Sequence, residues 1–465
     1  MNKIIERFYN SSPAFLQNLA VSTYGWKLYR REYGRKFAEL LKSYEEMQWW
    51  PYEKLWTWQD DCLKRLITHS YSNVPYYREI MKKHGLTPDD FRSVDDLPKM
   101  PLLTRDDIRN NFDSLISSQA RRKDLSIGHT SGTTGSPLEF LYDRHINLVK
   151  NVVDWRQKRW GGVNPGDRVA FFLGRVVVPI TRHKPPFWRH NWVLNHLFFS
   201  SFHMSPENLP MYFEQLKKFN PKAIEGYPST IYILAGHLLS RNKTFPLDAV
   251  FTSSETLYPQ QREAIERAFE CKLYDFFGMA ERVLFATECD AHEGHHVNMD
   301  FGILEVLNSD GQPCAPGEMG RMVATGLHNF GMPLIRYLTS DVTAIKDKPC
   351  SCGRAFPLME DVTTKAEDIV TTLDGRYVSS SILTHPFKPM HNVAESQIIQ
   401  EDRENIVIKI IKRPEYSDAD SQYLVEEMKK RVGQDMNIEL EFVDQIPRTK
   451  TGKFRWVISK VPLEF

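Results

Sequence analysis

From about Leu125 the chain alternates short β-rich runs with helical stretches, and this alternation constrains its fold more than any other feature. The runs LSIGH, LEFLY, DRVAFFLG, AIEGYP, AVFTSSE and KLYDFFG are separated by stretches such as PQQREAIERAF. Strands alternating with helices argue for an α/β sheet. Upstream, WTWQDDCLKRLI places Leu63, Leu66 and Ile67 on one helical face, and a second helix follows the break at Pro75. A further β-rich zone runs from Val297 to about Ile345, with Gly-containing turns. After Pro357 a polar link, TTKAEDIVTTLDG, leads to a compact α+β tail. There Leu424, Met428 and Val432 share a helical face, flanked by the strand-like NIVIKII and NIELEFV. The expected architecture is α/β. A large N-terminal domain, residues 1–365, is built on α/β sheets with a small β-rich subdomain, and a small α+β domain spans 366–465.

A chain of 465 residues can bury a core in each of two or three domains. Its 60 Lys+Arg nearly balance its 59 Asp+Glu, so a broad nucleic-acid-binding charge is excluded and any partner must be recognised locally. Six cysteines, five of them between Cys271 and Cys352, do not make a secreted disulfide framework. Glu6, Arg7, Asn10 and Gln17 interrupt the apolar run a signal peptide needs, and VAFFLGRVVVPI is too short to span a bilayer. A cytoplasmic protein without a transmembrane helix is expected. The stretch Phe15 to Lys36 mixes Tyr, Trp, Arg and Lys as a membrane-surface helix would, which leaves peripheral membrane contact open beside plain packing on its own domain.

Four segments carry chemistry. In TSGTTGSP, Thr130 to Pro137, seven of eight residues are Gly, Ser or Thr between two strand-like runs. Small residues let backbone N–H groups and hydroxyls converge on phosphate oxygens. The GK[ST] ending of a Walker loop is missing, which disfavours a P-loop ATPase; a flexible hairpin turn is the plainer alternative. In DFFGMAE an aromatic pair at a strand end leads to a carboxylate: Phe277 suits adenine stacking and Glu281 suits Mg²⁺, although Phe276 and Phe277 would also serve as core. PLIRYLTSD ends in Asp341, a carboxylate able to accept both ribose hydroxyls or simply to cap a turn. PRTKTGKFRW, Pro447 to Trp456, is a basic loop that would otherwise be read as solvated surface.

In this order and spacing the four segments resemble the adenylate-forming superfamily of acyl-CoA synthetases, peptide-synthetase adenylation domains and luciferases. Through NVPYYREIMKKHGLTPDDFRSVDDLPKMPLLTRDDIRNN and CSCGR the chain is most similar to the phenylacetate-CoA ligase family. HTSGTTGSPLEF, FFLGR, EGYPST and FTSSETLYPQQREAIERAF resemble its capsular-polysaccharide-biosynthesis branch. The resemblance implies that Thr130, Ser131, Gly132, Thr133, Thr134 and Gly135 grip the ATP phosphates. By the same resemblance Ser254, Glu255 and Thr256 border the adenine, Asp275, Phe276, Phe277 and Gly278 form its shelf, and Asp341 holds the ribose. Glu281 would bind Mg²⁺, and Lys453 would bridge the attacking carboxylate and the α-phosphate, with the C-terminal domain mobile about a hinge at Glu367.

The implied activity joins a carboxylic acid to ATP, forms an acyl-adenylate and passes the acyl group to an acceptor. CoA is the family default. The alternative is an amide- or ester-forming ligase that decorates a sugar in capsule or surface polysaccharide biosynthesis. A non-catalytic nucleotide-binding scaffold is a second alternative, disfavoured by the presence of Lys453, Glu281 and Asp341. A monomer or homodimer is expected. The sequence departs from the family at Ala280, where a hydroxyl residue is usual, and at TKAEDIV, where Lys365 replaces the ribose arginine. TTLDGRYVSSS replaces the loop that shapes the CoA channel; it carries Asp374, with Arg376 available to offset its charge.

Cys289, His296, Cys350 and Cys352 supply the four N/S ligands of a closed tetrahedral Zn²⁺ site, with His292 or His295 as substitutes for His296 and four unrelated reduced residues as the alternative. For the acyl pocket, His203 in SSFHMSP and Tyr227 in EGYPST are the candidates, although a lone His is more often structural.

Overall fold

The computed structural model describes residues 9–130, 138–174, 176–362, 369–378, 380–387, 389–390, 392–446 and 455–461. Helices α1 (Ala14–Glu32), α2 (Arg35–Met47), α3 (Tyr52–Asn73) and α4 (Pro75–Lys83) precede any strand. The short helix α5 (Arg105–Asn110) is started by a capping box in which the Thr104 hydroxyl accepts from the Asp107 amide. Strands β1 (Ser126–His129) and β2 (Glu139–Tyr142) then pair as an antiparallel hairpin, followed by α6 (Arg144–Trp160).

The alternation read from the sequence becomes a nine-stranded mixed sheet. Its strands are β3 (Val169–Phe172), β4 (Trp188–Asn191), β5 (His196–Phe199), β6 (Ala223–Gly226), β7 (Ala249–Ser253), β8 (Lys272–Gly278), β9 (Phe285–Glu288), β10 (His295–Val297) and a late strand, Leu358–Met359. The order is late strand, β10, β9, β8, β7, β6, β3, β5, β4. The central strands β5, β3, β6, β7 and β8 are mutually parallel, and the outer ones are antiparallel to their neighbours.

Both faces of this sheet are covered, which is why β7 reads as the unbroken apolar AVF rather than as an alternation. Ala249 and Phe251 enter a core shared with Val152 and Val153 of α6. Val250 enters the opposite core, with Tyr212 of α7 (Leu209–Phe219), Leu234 of α8 (Pro228–Leu239) and Ile265 of α9 (Pro259–Phe269). The β-rich zone is a three-stranded antiparallel meander of β11 (Gly302–Leu307), β12 (Gly320–Gly326) and β13 (Tyr337–Thr343), and the late strand of the large sheet becomes β14.

Beyond residue 369 a third core forms around Ile398, Ile408, Leu424, Met428 and Trp456. The hairpin β15 (Val370–Thr371) and β16 (Tyr377–Val378) and the short helix α10 (Ser380–Leu383) lead into β17 (Val393–Gln400) and β18 (Asn405–Lys412). Helix α11 (Asp418–Val432) carries the three apolar residues predicted for one face, all buried, and is followed by β19 (Asn437–Phe442) and β20 (Val457–Ser459). This sheet runs β19, β18, β17, β20.

Candidate active site

In an open α/β sheet a ligand is received at the carboxyl ends of the parallel strands. There the chain places His203 after β5, Tyr227 after β6, Ser254 to Thr256 after β7 and Gly278 at the end of β8. Ser254 holds φ +71°, a left-handed conformation uncommon outside glycine, as the chain leaves the buried strand. Glu255 turns back across the edge, its Oε2 accepting from the Ser229 amide at 3.2 Å at the start of α8.

Thr130 precedes the Gly/Ser/Thr segment and is tied to Leu138 beyond it. Its amide donates to the Leu138 carbonyl at 3.0 Å, and its hydroxyl oxygen accepts from the Leu138 amide at 2.9 Å. The same oxygen accepts from Arg105 Nη2 at 3.3 Å. Ser131 to Gly135, Lys365, Glu367 and Lys453 lie outside the described residues.

Glu281 is buried, and Tyr337 Oη donates to its Oε1 at 2.9 Å. Burial pushes its carboxyl above the ordinary range; the Tyr337 bond and the Arg105 charge oppose this, and Asp341 adds to it. Asp341, half-buried on β13, has its amide bound to the Thr339 hydroxyl at 3.0 Å. The Tyr142 hydroxyl donates to the Ala280 carbonyl just before Glu281. Gly128 makes this reach feasible, since a Cβ there would sit 2.0 Å from the Tyr142 hydroxyl.

The aromatic segment divides by strand alternation. Phe276 is buried and stacks on Phe285, ring centroids 5.1 Å apart, whereas Phe277 is half-buried at the strand end. Asp275 lies inside the fold. Its carboxylate accepts from the Thr252 hydroxyl and meets His295 Nε2 at 3.1 Å, and the other ring nitrogen of His295 is 3.1 Å from Asp361. Burial disfavours the imidazolium, yet the two carboxylates outweigh it and push His295 up to about 10. His295 thus joins the buried Asp275 on β8 to the exposed Asp361 beyond β14.

His203 is also interior. Ser200 Oγ lies 2.7 Å from its Nδ1, its ring stacks on Phe187, and burial lowers it to about 4, which keeps it neutral. Tyr227 is half-buried beside Gly174, where a Cβ would come within 3.0 Å of its ring, so it floors the gap between the ends of β3 and β6.

On the other side of β10, Cys289, His296, Cys350 and Cys352 place one ligand atom each within 4.8 Å of one another. Strand alternation sends His295 to the ion-pair chain and His296 to this cluster. Cys289 and Cys350 Sγ are 3.6 Å apart, close to the edge of about 3.8 Å that four thiolate-type ligands make around Zn²⁺. His296 Nδ1 faces the Phe356 carbonyl at 3.3 Å, which leaves Nε2 toward Cys352 at 3.4 Å. The donor set and its spacing fit the ion.

Residues 370–460 match the CapK C-terminal domain family. The chain is 29% identical to the protein CapK of Staphylococcus aureus, across 98% of this chain and 100% of that one. It is 24% identical to a phenylacetate-coenzyme A ligase of Thermus thermophilus, across 89% and 98%. Its fold matches 2-hydroxyisobutyryl-CoA ligase in the postadenylation state with a TM-score of 0.56 at 20% identity, covering 89% of this chain and 91% of that one. The fold is that of the adenylate-forming ligases, and the sequence is similar over most of its length to CapK and to phenylacetate-coenzyme A ligases. The fold also matches that enzyme in complex with 2-HIB-AMP and CoA, with a TM-score of 0.57 at 19% identity, covering 89% of this chain and 91% of that one.

Three side chains of the site were not singled out from sequence: Arg105 on Thr130, Tyr337 on Glu281 and Tyr142 behind Ala280. Arg105 and Tyr337 stand within quoted motifs, LLTRDDIR and LIRYLTSD. Their types alone did not show which way they would face.

Proposed function

We propose that this ligase activates a small carboxylic acid with ATP at the carboxyl edge of its large sheet. A carboxylate oxygen attacks the α-phosphorus, the bond to the β-phosphate oxygen breaks, and acyl-adenylate and pyrophosphate form. The acceptor's nucleophile then attacks the acyl carbon and AMP leaves. The reading rests on one observation: Thr130 at the base of the Gly/Ser/Thr loop, Arg105, and the buried Glu281 with Asp341 beside it converge at this edge.

In this reading Thr130 to Gly135 hold the phosphates, Ser254, Glu255, Thr256 and Phe277 border the adenine, and Asp341 holds the ribose. Asp275 acts from the interior by fixing the end of β8. Glu281 would hold the Mg²⁺ that neutralises phosphate charge. Lys453 would bridge carboxylate and α-phosphate, stabilising charge as it develops. Tyr227 lines the acyl pocket, with His203 behind it. Residues 1–365 form the adenylating domain and 366–465 the domain that swings about Glu367. Cys289, His296, Cys350 and Cys352 would hold one structural zinc.

We place the acceptor among amines or carrier-bound groups, in keeping with the likeness to CapK and a role in surface polysaccharide biosynthesis. The second reading, free CoA, is favoured by the named activity of the phenylacetate-coenzyme A ligases. ATP–pyrophosphate exchange across a panel of carboxylic acids tests the proposal. Acid-dependent exchange is expected, and ATP binding with no exchange for any acid would favour the scaffold alternative.

A further inference from the structure

Helix α1 is amphipathic, and its polar side faces the protein. Asn18 Oδ1 accepts from the His190 amide at 3.0 Å, and Ser22 Oγ accepts from the Trp192 amide at 3.0 Å. Gln17 Oε1 accepts from Arg189. Gly25 lets the helix close on Asn191, where a Cβ would fall 2.1 Å from the side chain. These contacts cover β4, the edge strand of the nine-stranded sheet. An open edge presents unpaired N–H and C=O groups, which a helix lying across it meets with polar side chains.

The consequence appears on the opposite side. Leu16, Leu19 and Trp26 fall at helical spacing on one stripe, 45%, 49% and 46% exposed, and Phe15 beside them is 65% exposed. The stripe continues onto the sheet edge through Trp192, whose ring lies 5.8 Å from that of Phe15. Toward the C-terminal end of the helix it gives way to cations. Between Phe15 and Lys36 there are five Lys and Arg and one acid, Glu32. Glu32 is already engaged by Arg31 and Asn151. The Arg30 guanidinium lies over the Trp26 ring at 4.6 Å.

We propose that this face of α1 docks the enzyme on a bilayer surface carrying anionic lipid. The aliphatic and aromatic side chains enter the headgroup and acyl boundary, while Lys27, Arg30 and Arg31 meet lipid phosphates. With five cations against one acid, the stretch offers a second copy of the chain no balancing charge, and charge complementarity favours an anionic lipid surface as the occupant. This surface lies at the β4 edge, apart from the carboxyl ends of the parallel strands, and the inference goes beyond the proposed reaction.

The test uses the full chain and co-sedimentation with vesicles of phosphatidylcholine alone or mixed with phosphatidylglycerol. Binding to the anionic vesicles should exceed binding to the neutral ones by roughly tenfold or more and should weaken with salt. The exposed-stripe variant Leu16→Glu/Leu19→Glu/Trp26→Glu should lose it with an unchanged melting temperature and circular dichroism. Lys27→Gln/Arg30→Gln/Arg31→Gln should lose the preference for anionic lipid. Failure of the wild-type chain to bind anionic vesicles overturns the proposal, as does binding that survives both variants. A wild-type dimer that the stripe variant dissociates, without vesicle binding, reassigns the face to self-association and overturns it as well.

Discussion

Tyr337 on β13 donates a 2.9 Å hydrogen bond to Oε1 of Glu281, so the meander clamps the carboxylate that follows β8. Burial raises the pKa of Glu281 and this bond opposes the rise. The ionised form is the one a divalent cation needs. It is present above the raised pKa and is lost as pH falls through it. Tyr337→Phe removes a stabilising donor, so the acid limb of the exchange rate should move to higher pH. A hydrogen bond to a charged group contributes about 1.5–3 kcal/mol, so the expected loss is roughly 10- to 100-fold on the acid side. Rate profiles over pH at fixed Mg²⁺ check this; a profile displaced equally at all pH values would mean a structural effect alone.

Lys453→Ala should abolish adenylation and leave ATP affinity nearly intact. A charge that acts chiefly in the transition state lowers the chemical step rather than ground-state binding. Calorimetric ATP binding alongside pyrophosphate exchange makes the comparison. Exchange at the wild-type rate in the variant would remove Lys453 from the mechanism.

The cysteine cluster predicts one zinc per chain, contributing to folding rather than to catalysis. The four protein ligands leave no open position for water. Because metal binding is linked to folding, Cys350→Ser should lose the ion and melt at a lower temperature, and strong chelation of the wild-type protein should do the same. Elemental analysis of protein purified without chelator decides occupancy. Zinc-free protein of full stability would leave the cluster as four reduced side chains.

Sequence made the α/β core legible because strands buried on both faces read as apolar runs and surface helices read at their own period. It marked Thr130, Glu281 and Asp341 because their neighbours are unusual. It did not show that Phe276 is buried against Phe285 while Phe277 stays half-buried at the strand end. Alternation predicts opposite faces, but which face the site occupies depends on tertiary packing. Arg156 on α6 illustrates the same limit. It is fully buried against Asp300 and Asn298, partners more than a hundred residues away, and nothing in the helix sequence distinguishes it from the exposed Arg159 three residues on.

The acceptor is predicted from the hairpin that replaces the usual CoA-channel loop. Its turn is tight: Gly375 holds φ +75°, and its amide donates to the Thr372 carbonyl at 2.9 Å. Asp374 is paired with Arg376 at 2.7 Å, so its charge is largely met within the hairpin and repulsion of an anionic CoA is a small term. Arg376 in turn donates to the carbonyls of Phe202 at 2.7 Å and Arg431 at 3.2 Å. The guanidinium therefore ties the hairpin to the segment that follows β5 and to α11, and these contacts engage it in this arrangement. We expect the purified enzyme to form acyl-adenylate readily and to transfer it slowly to free CoA, with faster transfer to an amine or a carrier-bound acceptor. Adenylate formation followed through pyrophosphate release, set beside product formation with CoA, hydroxylamine and candidate amines under one set of conditions, makes the comparison. Arg376→Ala should also destabilise the fold by about 1–3 kcal/mol, since it leaves buried carbonyls unpaired. CoA turnover as fast as adenylation would mean that the altered hairpin does not govern acceptor choice and that thioester formation is the second half-reaction.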